Sequence, residues 1–471
     1  MTRQIDMRGA GGWILLTTIL GAQAGAVPNI ETAGAGRQCR SGDWPDFLGP
    51  ARNGKSAETG LPSAWPPGGP PVVWQKMIGI GYAQPTICNG RLFHFARFDN
   101  TARLSCLDAR SGAEVWTCDY ATDYVDMLGY NNGPRATPVV DGERVYTFGA
   151  EGVLQCVRAS DGHALWRIDT TKQYHVVKNF FGVGSTPLVW RDVLLVNVGG
   201  SPPGSPADLY AANGNAPSAG AAVVAFDKTT GKERWRTGED HASYASPVPA
   251  NIGARELVIV FARGGLLAID PEKGTTIAQF PWRARKLESV NAASPVVVGN
   301  EVFISETYEM GSALVRFNGN SFGEVWSDRE RRRNQAMALH WNTPIEHEGY
   351  LYGSSGYHSP EAELRCVEWK SGKVMWSEPA MGRSSLALVE ETLVCLSEDG
   401  TLRLIRATPQ RYEEIAEWEL ESAEGVPLLT YPAWTAPALA QGRLYVQGKD
   451  RLICLELIKE SADAERSAPA R

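Results

Sequence analysis

The chain of 471 residues and eight cysteines lacks any CxxC pair and any CxxCH, so neither a zinc cluster nor an attached c-type haem has support. No Walker loop, Gly-rich dinucleotide fingerprint or Ser/His/Asp order stands in a usable context. Positive charge is not in surplus. With 46 Lys+Arg against 53 Asp+Glu the net charge is −7, which argues against a general nucleic-acid binder. The one dense basic spot, Arg329–Arg333, reads as a solvated loop between strands, with an anion site as the alternative. Long apolar runs are scarce too. The run Trp13–Leu20 is too short to span a membrane.

That run has another use. Arg3 and Arg8 precede it, with Asp6 between them, and Ala22-Gln23-Ala24 places small residues before Gly25. The pattern predicts a signal peptide over 1–24 and a periplasmic or secreted protein. Cys39 follows Gly-Arg-Gln, which is not a lipid-attachment context. A disordered leader is expected over 25–42, one folded unit over 43–458 and a disordered tail over 459–471. A monomer with no membrane span and no nucleic-acid partner is expected.

What the chain has in quantity is 49 Gly, 29 Pro and a repeated cassette. The cassette reads LSCLDARSGAEVW at Leu104–Trp116, LQCVRASDGHALW at Leu154–Trp166, VVAFDKTTGKERW at Val223–Trp235 and LRCVEWKSGKVMW at Leu364–Trp376. Each is an alternating strand, a turn with Gly, and a strand carrying Trp. Upstream of each lies a small residue, Pro, a strand, a tight turn such as Asn89-Gly90 or Asp141-Gly142, and another strand. Starts fall at Pro85, Pro138, Pro187, Pro247, Pro295, Pro344 and Pro437, with Ser384-Ser385-Leu386 standing in for one more. Cassette strands begin at Leu104, Leu154, Val223, Leu266, Leu314, Leu364, Leu402 and Leu452. Two copies are degenerate: Ala278 stands where Trp is expected, and Leu402–Trp418 has a longer turn.

Repetition at this period marks an array. The fold class is all-β, an eight-bladed β-propeller of four-stranded antiparallel blades. The eighth cassette breaks off after Leu452, while Pro71-Val72-Val73-Trp74 is an orphan strand ahead of the first unit. The N-terminal strand is therefore expected to join the C-terminal blade and close the ring. The regular Trp residues read as packing between blades, with Gly supplying positive φ in the turn. Cys106, Cys156, Cys366 and Cys454 hold one place in successive cassettes and read as small buried hydrophobes. Cys88 and Cys118 could pair with others. The insertion Gly199–Gly220 reads as a surface loop.

These cassettes resemble the repeats of the pyrroloquinoline-quinone (PQQ)-type β-propellers, a group that includes quinoprotein alcohol dehydrogenases and BamB-like assembly proteins. Asp43-Trp44-Pro45-Asp46-Phe47-Leu48-Gly49-Pro50 and Asn132-Gly133-Pro134-Arg135-Ala136-Thr137-Pro138 look like segments of an exported subgroup of it. The resemblance spans 43–457. It implies the fold. For an enzyme of the group it would imply PQQ and Ca²⁺ as cofactors, an Asp base and a Trp beneath the quinone. The adjacent Cys-Cys of many such enzymes is absent. No catalytic residue and no metal ligand is assigned.

Function must lie between the cassettes, where strands enter the central channel. The residue three before each Pro start marks that place: Tyr82, Arg135, Gly184, Tyr244, Ala292, Trp341 and Trp434, with Gly382 in the degenerate unit. His340 and Asn342 flank Trp341. The expected ligand-binding residues are Tyr82, Arg135, Tyr244, His340, Trp341, Asn342 and Trp434. Aromatic faces with a cation could hold a quinone, sugar or peptide. Alternatively these rings pack the channel shut. Asp123, Asp126, Glu239, Asp240 and Glu288 are the nearby carboxylates. The leading functional reading is a binding or scaffold module for a protein or small ligand at the channel mouth. The alternative is a PQQ/Ca-dependent dehydrogenase of an alcohol or sugar.

Overall fold

The computed structural model describes residues 39–289, 291–331, 333–422 and 424–459. The expected signal peptide, most of the leader and nearly all of the tail lie outside them. Eight sheets make up the described chain, each built on four antiparallel strands, with a short parallel fifth strand added to one of them. Blade 1 runs Thr86–Cys88, Arg91–Phe98, Thr101–Asp108 and Glu114–Ala121, from the inner strand to the outer. Blades 2 to 7 repeat that order, their inner strands starting at Val139, Leu188, Val248, Val296, Ile345 and Ser384. Blade 8 has only Ala438–Ala440, Arg443–Gln447 and Arg451–Glu456 from the C-terminal end. Its outer strand is Val72–Met77, with Trp74 opposite Cys454. The ring is closed as the broken last cassette predicts.

The Trp and the Gly belong to one contact between neighbouring blades. Trp116 Nε1 donates to Ala159 O of the next blade at 3.0 Å, and a Cβ on Gly162 would lie 2.6 Å from the Trp116 ring. The same pairing joins Trp74 to Ala109 and Gly112, Trp166 to Lys228 and Gly231, and Trp326 to Trp369 and Gly372. Gly is required there twice over, for positive φ and for the space taken by the indole of the preceding blade. The degenerate copies obey the same logic. Blade 4 has no Trp, because Ala278 fills its place opposite Ala268, and Gly319 in the following turn meets nothing within 4 Å. The N-terminal strand brings the missing Gly as well as the Trp, since a Cβ on Gly69 would lie 2.2 Å from Trp418.

A second set of contacts runs around the channel. The amide of Gln84 donates to Thr137 Oγ1, Thr137 to Thr186 Oγ1, Thr186 to Ser246 Oγ, Ser246 to Ser294 Oγ and Ser294 to Thr343 Oγ1, all at 3.0–3.2 Å. Each donor and acceptor sit in adjacent blades. At five of the seven Pro starts the residue before Pro is thus Ser or Thr because its hydroxyl takes the amide of the preceding blade. Gln84 Nε2 ties blade 1 to the other side, donating to Ala436 O and Pro437 O of blade 8.

The segment over 43–58 and residues 39–42 before it pack against the blades. Cys39 and Cys88 form a disulfide. Trp44 exchanges two backbone bonds with Ile87 of blade 1, and Pro45 O accepts from Val140 of blade 2. Arg52 donates to Pro187 O of blade 3 and, at 2.8 Å, to Pro247 O of blade 4. Its buried guanidinium is held by Asp46 at 2.7 and 3.0 Å. Lys55 bonds Glu346 of blade 6, Lys55–Ser56 pair in parallel with Leu388–Val389 of blade 7, and Glu58 accepts from Gly442 of blade 8. This strip crosses the channel and closes it at one end. The six other cysteines are free and buried, four of them paired against the interblade Trp or its counterpart, and burial pushes thiols such as Cys106 and Cys156 up to about 12.

Candidate ligand-binding site

The segments joining the outer strand of one blade to the inner strand of the next converge at the other end of the channel. Between them lies a cavity of about 620 Å³. Phe47 and Leu48 of the crossing strip form part of its lining. Because that strip blocks the channel, the cavity is a blind pocket rather than a pore.

All seven residues expected to bind ligand lie in this wall, together with Gly184 and Ala292 from the same structural position. In the degenerate unit the wall residue is Arg383, one place after Gly382. The rings neither fill the cavity nor lie parallel. Trp341 and Trp434 are 4.8 Å apart and inclined at 50°, and Tyr82 and Trp434 are 5.1 Å apart at 47°. Phe181 and Tyr244 are 5.7 Å apart at 50°. His340 touches Trp341 at 4.7 Å and Tyr357 at 4.9 Å.

Two guanidiniums are set among these rings. Arg383 lies 4.6 Å from Trp341 and 5.0 Å from Trp434, and Arg135 lies 5.9 Å from Tyr82 and 5.6 Å from Phe181. Neither is a free cation. Arg135 Nη2 is 2.5 Å from Asp126, whose side chain is fully buried. Arg383 bonds both oxygens of buried Glu398 at 2.7–3.1 Å. Glu398 also accepts from Trp434 Nε1 at 2.8 Å and Tyr431 at 3.2 Å. Burial alone would raise the Glu398 carboxyl, but the bonds from Arg383 and Trp434 override it and hold it down to about 2. His340 is lowered as well, but in its case this favours the uncharged form: burial, then the charge of Arg383, press it down to about 3. It is a neutral ring at any ordinary pH.

Other predicted residues have structural employment. Asn342 Nδ2 donates to Ser384 O and Ser385 Oγ of blade 7 at 2.7 and 3.0 Å. The Tyr244 hydroxyl accepts from the Phe181 amide at 2.6 Å. Asp240 caps the amides of His241 and Gly264, and His241 Nε2 meets Ala216 O, so this pair is not in the cavity wall. Glu288 is in the wall and exposed. Asp123 and Glu239 are not among the lining residues.

Counting three back from Pro finds one residue per unit and so misses the rest of the wall. Tyr130, Phe181 and Tyr431 come from the bodies of the connecting segments, and Tyr308, Tyr357 and His358 from hairpins between second and third strands. Their signal was an aromatic residue in an irregular segment. The insertion after Gly199 is more than a surface loop. Its Leu209 and Ala212 pack with Val177 and Phe180 in a small core that touches Tyr244, which supports Phe180 and Phe181 in the wall.

The residues do not fit PQQ with Ca²⁺. Calcium takes six or more oxygens, with carboxylates prominent among them. Asp126 and Glu398 are committed to arginines, which leaves Glu288 as the one carboxylate among the lining residues. Among the described residues the one group of three His, Cys, Asp or Glu side chains close enough to share an ion is Cys39, Asp43 and Cys88, two of them in the disulfide. The tilted rings also offer no parallel slot for a flat quinone.

Fold and site together define an eight-bladed β-propeller with a blind aromatic pocket at one mouth of its channel. The model of the family described as outer membrane protein assembly factor BamB matches residues 100–378, more than half of the chain, and the chain belongs to that family. It is 22% identical over 204 residues to the outer membrane protein assembly factor BamB of Alkalilimnicola ehrlichii, covering 42% of this chain and 44% of that relative. The chain thus spans less than half the length of this relative. The crystal structure of BamB from Moraxella catarrhalis superposes with a TM-score of 0.54 at 14% identity, over 83% of this chain and 98% of that one. The quinohemoprotein alcohol dehydrogenase of Comamonas testosteroni superposes at 0.50 with 13% identity, over 90% and 81%. These likenesses concern the fold. No helix among the described residues is long and apolar enough to cross a membrane.

Proposed function

We propose that this protein is an exported binding module that holds its ligand or partner at the pocketed mouth of the channel and performs no bond chemistry there. The observation that carries this reading is the blind cavity of about 620 Å³, walled by rings and by arginines whose charges are already met. The wall pairs no nucleophile with a base, and the neutral His340 is too weak a base at neutral pH to serve as one. Export is supported by the N-terminal pattern and by the Cys39–Cys88 disulfide, since such bonds persist in oxidising compartments. A protein partner at the same mouth is a second reading. Val125, Met127, Leu128, Tyr130, Val426 and Tyr431 leave apolar surface exposed on two of its segments, and the relatives are named as assembly factors.

The test is reconstitution with PQQ and Ca²⁺, followed by dye reduction with a panel of alcohols and aldoses. The expected result is no saturable PQQ binding and no reduction. Stoichiometric PQQ uptake with substrate-dependent dye reduction would overturn the reading in favour of a dehydrogenase.

A further inference from the structure

The chemistry of the pocket narrows its ligand, on the footing that the pocket is a binding site as proposed above. Four ligand classes meet specific obstacles. An anion would find Arg135 and Arg383 each chelated by a buried carboxylate, which leaves Lys449 as the lining's other Lys or Arg, set against Glu288. A cation seeking aromatic faces would find one face of Trp341, Trp434, Tyr82 and Phe181 already polarised by a guanidinium 4.6–5.9 Å away, which weakens the pull of the other face on a second cation but not on a neutral ligand. A flat polycycle held between rings needs two parallel ones, and the neighbouring wall rings are inclined at 38–79°. An extended peptide adding as a strand needs a free sheet edge. Beneath the pocket the inner strands of blades 1 and 7 already pair with Trp44 and with Lys55–Ser56.

What the wall does offer is different. It presents ring faces at several inclinations, phenol groups on Tyr82, Tyr130, Tyr357 and Tyr431, and a deeper tier of Thr186, Ser246, Thr343 and Ser385. In this tier Thr186, Ser246 and Thr343 each accept a backbone amide of the preceding blade. A hydroxyl that accepts still has its own proton to donate. The local formal charges cancel, with Arg135, Arg383 and Lys449 set against Asp126, Glu398 and Glu288. Inclined aromatic faces suit a puckered ring whose axial C–H bonds make an apolar side and whose edge carries hydroxyls. We infer that the pocket binds an uncharged pyranose oligosaccharide, its ring faces against Trp434, Tyr82 and Tyr130 and its hydroxyls toward the Ser/Thr tier.

The test titrates the purified protein with maltotriose, cellotriose and chitotriose by calorimetry, with the trimer of galacturonic acid as charged control. Nile red is titrated in parallel as an uncharged probe of the pocket. The expected result is saturable binding of at least one neutral trimer, with the charged trimer at least tenfold weaker. Affinity should change less than twofold between low and high NaCl. Tyr130→Ala should weaken binding about tenfold; the side chain is 59% exposed, so its loss leaves the fold in place. Trp434→Ala should abolish it, whereas Met77→Ala, on the outer strand of blade 8, should leave it unchanged. If Nile red binds and Tyr130→Ala weakens it, yet no saccharide binds or displaces it, the saccharide inference fails while the binding-module reading stands. If neither the probe nor any trimer binds, both fail.

Discussion

Gly162 and Gly90 share a φ of +76° and differ in what a methyl group would meet. At Gly90 a Cβ has nothing within 4 Å, whereas at Gly162 it would lie 2.6 Å from Cε3 of Trp116. The pair therefore separates the backbone cost of an alanine from the cost of disturbing the contact between blades. Left-handed backbone costs an L-residue about 1–2 kcal/mol, partly offset by about 0.4–1 kcal/mol from a more restricted unfolded chain. Gly90→Ala should therefore lower stability by about 1 kcal/mol. Gly162→Ala carries the same cost plus overpacking of about 1–3 kcal/mol, for a total of about 2–4 kcal/mol. Urea unfolding followed by far-UV circular dichroism gives both values from the shift in Cm. In a cycle with Trp116→Leu, the excess at Gly162 should vanish, giving a coupling of about 1–3 kcal/mol. Equal losses at the two glycines, or no coupling to Trp116, would refute the claim that the cassette Gly exists to seat the preceding blade's Trp.

Three other outcomes are expected. Glu398, held at about 2 in the folded protein, contributes stability that is complete above its unfolded value near 4.5 and is lost as pH falls toward 2. Glu398→Gln should cost about 3–5 kcal/mol at pH 7 and flatten that acid limb, measured by denaturation across pH. Glu306 has the opposite sign. Burial, countered only in part by Ser289, raises it to about 7, so it favours the folded state less as pH rises from about 4.5 to 7. Glu306→Gln should then stabilise the protein at pH 8 by on the order of 1–3 kcal/mol and have little effect at pH 4. Reducing the Cys39–Cys88 bond, which spans 49 residues, should cost about 4 kcal/mol on the loop-closure account and lower Tm, whereas a Cys39→Ser/Cys88→Ser variant should no longer respond to reductant.

The blade count, the strand order and the split last blade were legible because they repeat. A strand pattern recurs eight times with a turn Gly in most copies, and Trp74 without a preceding cassette fits the last cassette, which breaks off before its Trp. The reason for each Gly was only half legible. Its positive φ follows from turn chemistry, but the indole pressed on it comes from a different repeat, and no local pattern links Gly162 to Trp116. The row of Ser and Thr hydroxyls was in plain sight as the residue before five of the seven Pro starts, yet its purpose depends on the neighbouring blade. The wall was legible where it obeys the repeat, at Tyr82, Arg135, Tyr244, Trp341 and Trp434. It was not legible where irregular segments supply it, as at Tyr130, Phe181 and Tyr357. The charge state of the wall was hidden altogether, because Asp126 and Glu398 become partners of Arg135 and Arg383 only through the fold.

The strip that floors the pocket also sets an order of events. Glu58 must meet Gly442, which is 384 residues later in the chain. At about 5–20 residues per second, synthesis of the intervening chain takes roughly 20–80 s. During that time Glu58 lacks its partner, blade 8 consists of its outer strand Val72–Met77 alone and the circle stays open. Contacts this distant are slow to form, because loop closure opposes them before they yield any stabilisation. Glu58 and the strand Val72–Met77, made early, are thus among the last to settle. A chain built in this way can leave the ribosome with its ring unfinished, which is the state a polypeptide needs if it is to be threaded through a narrow export pore before it folds.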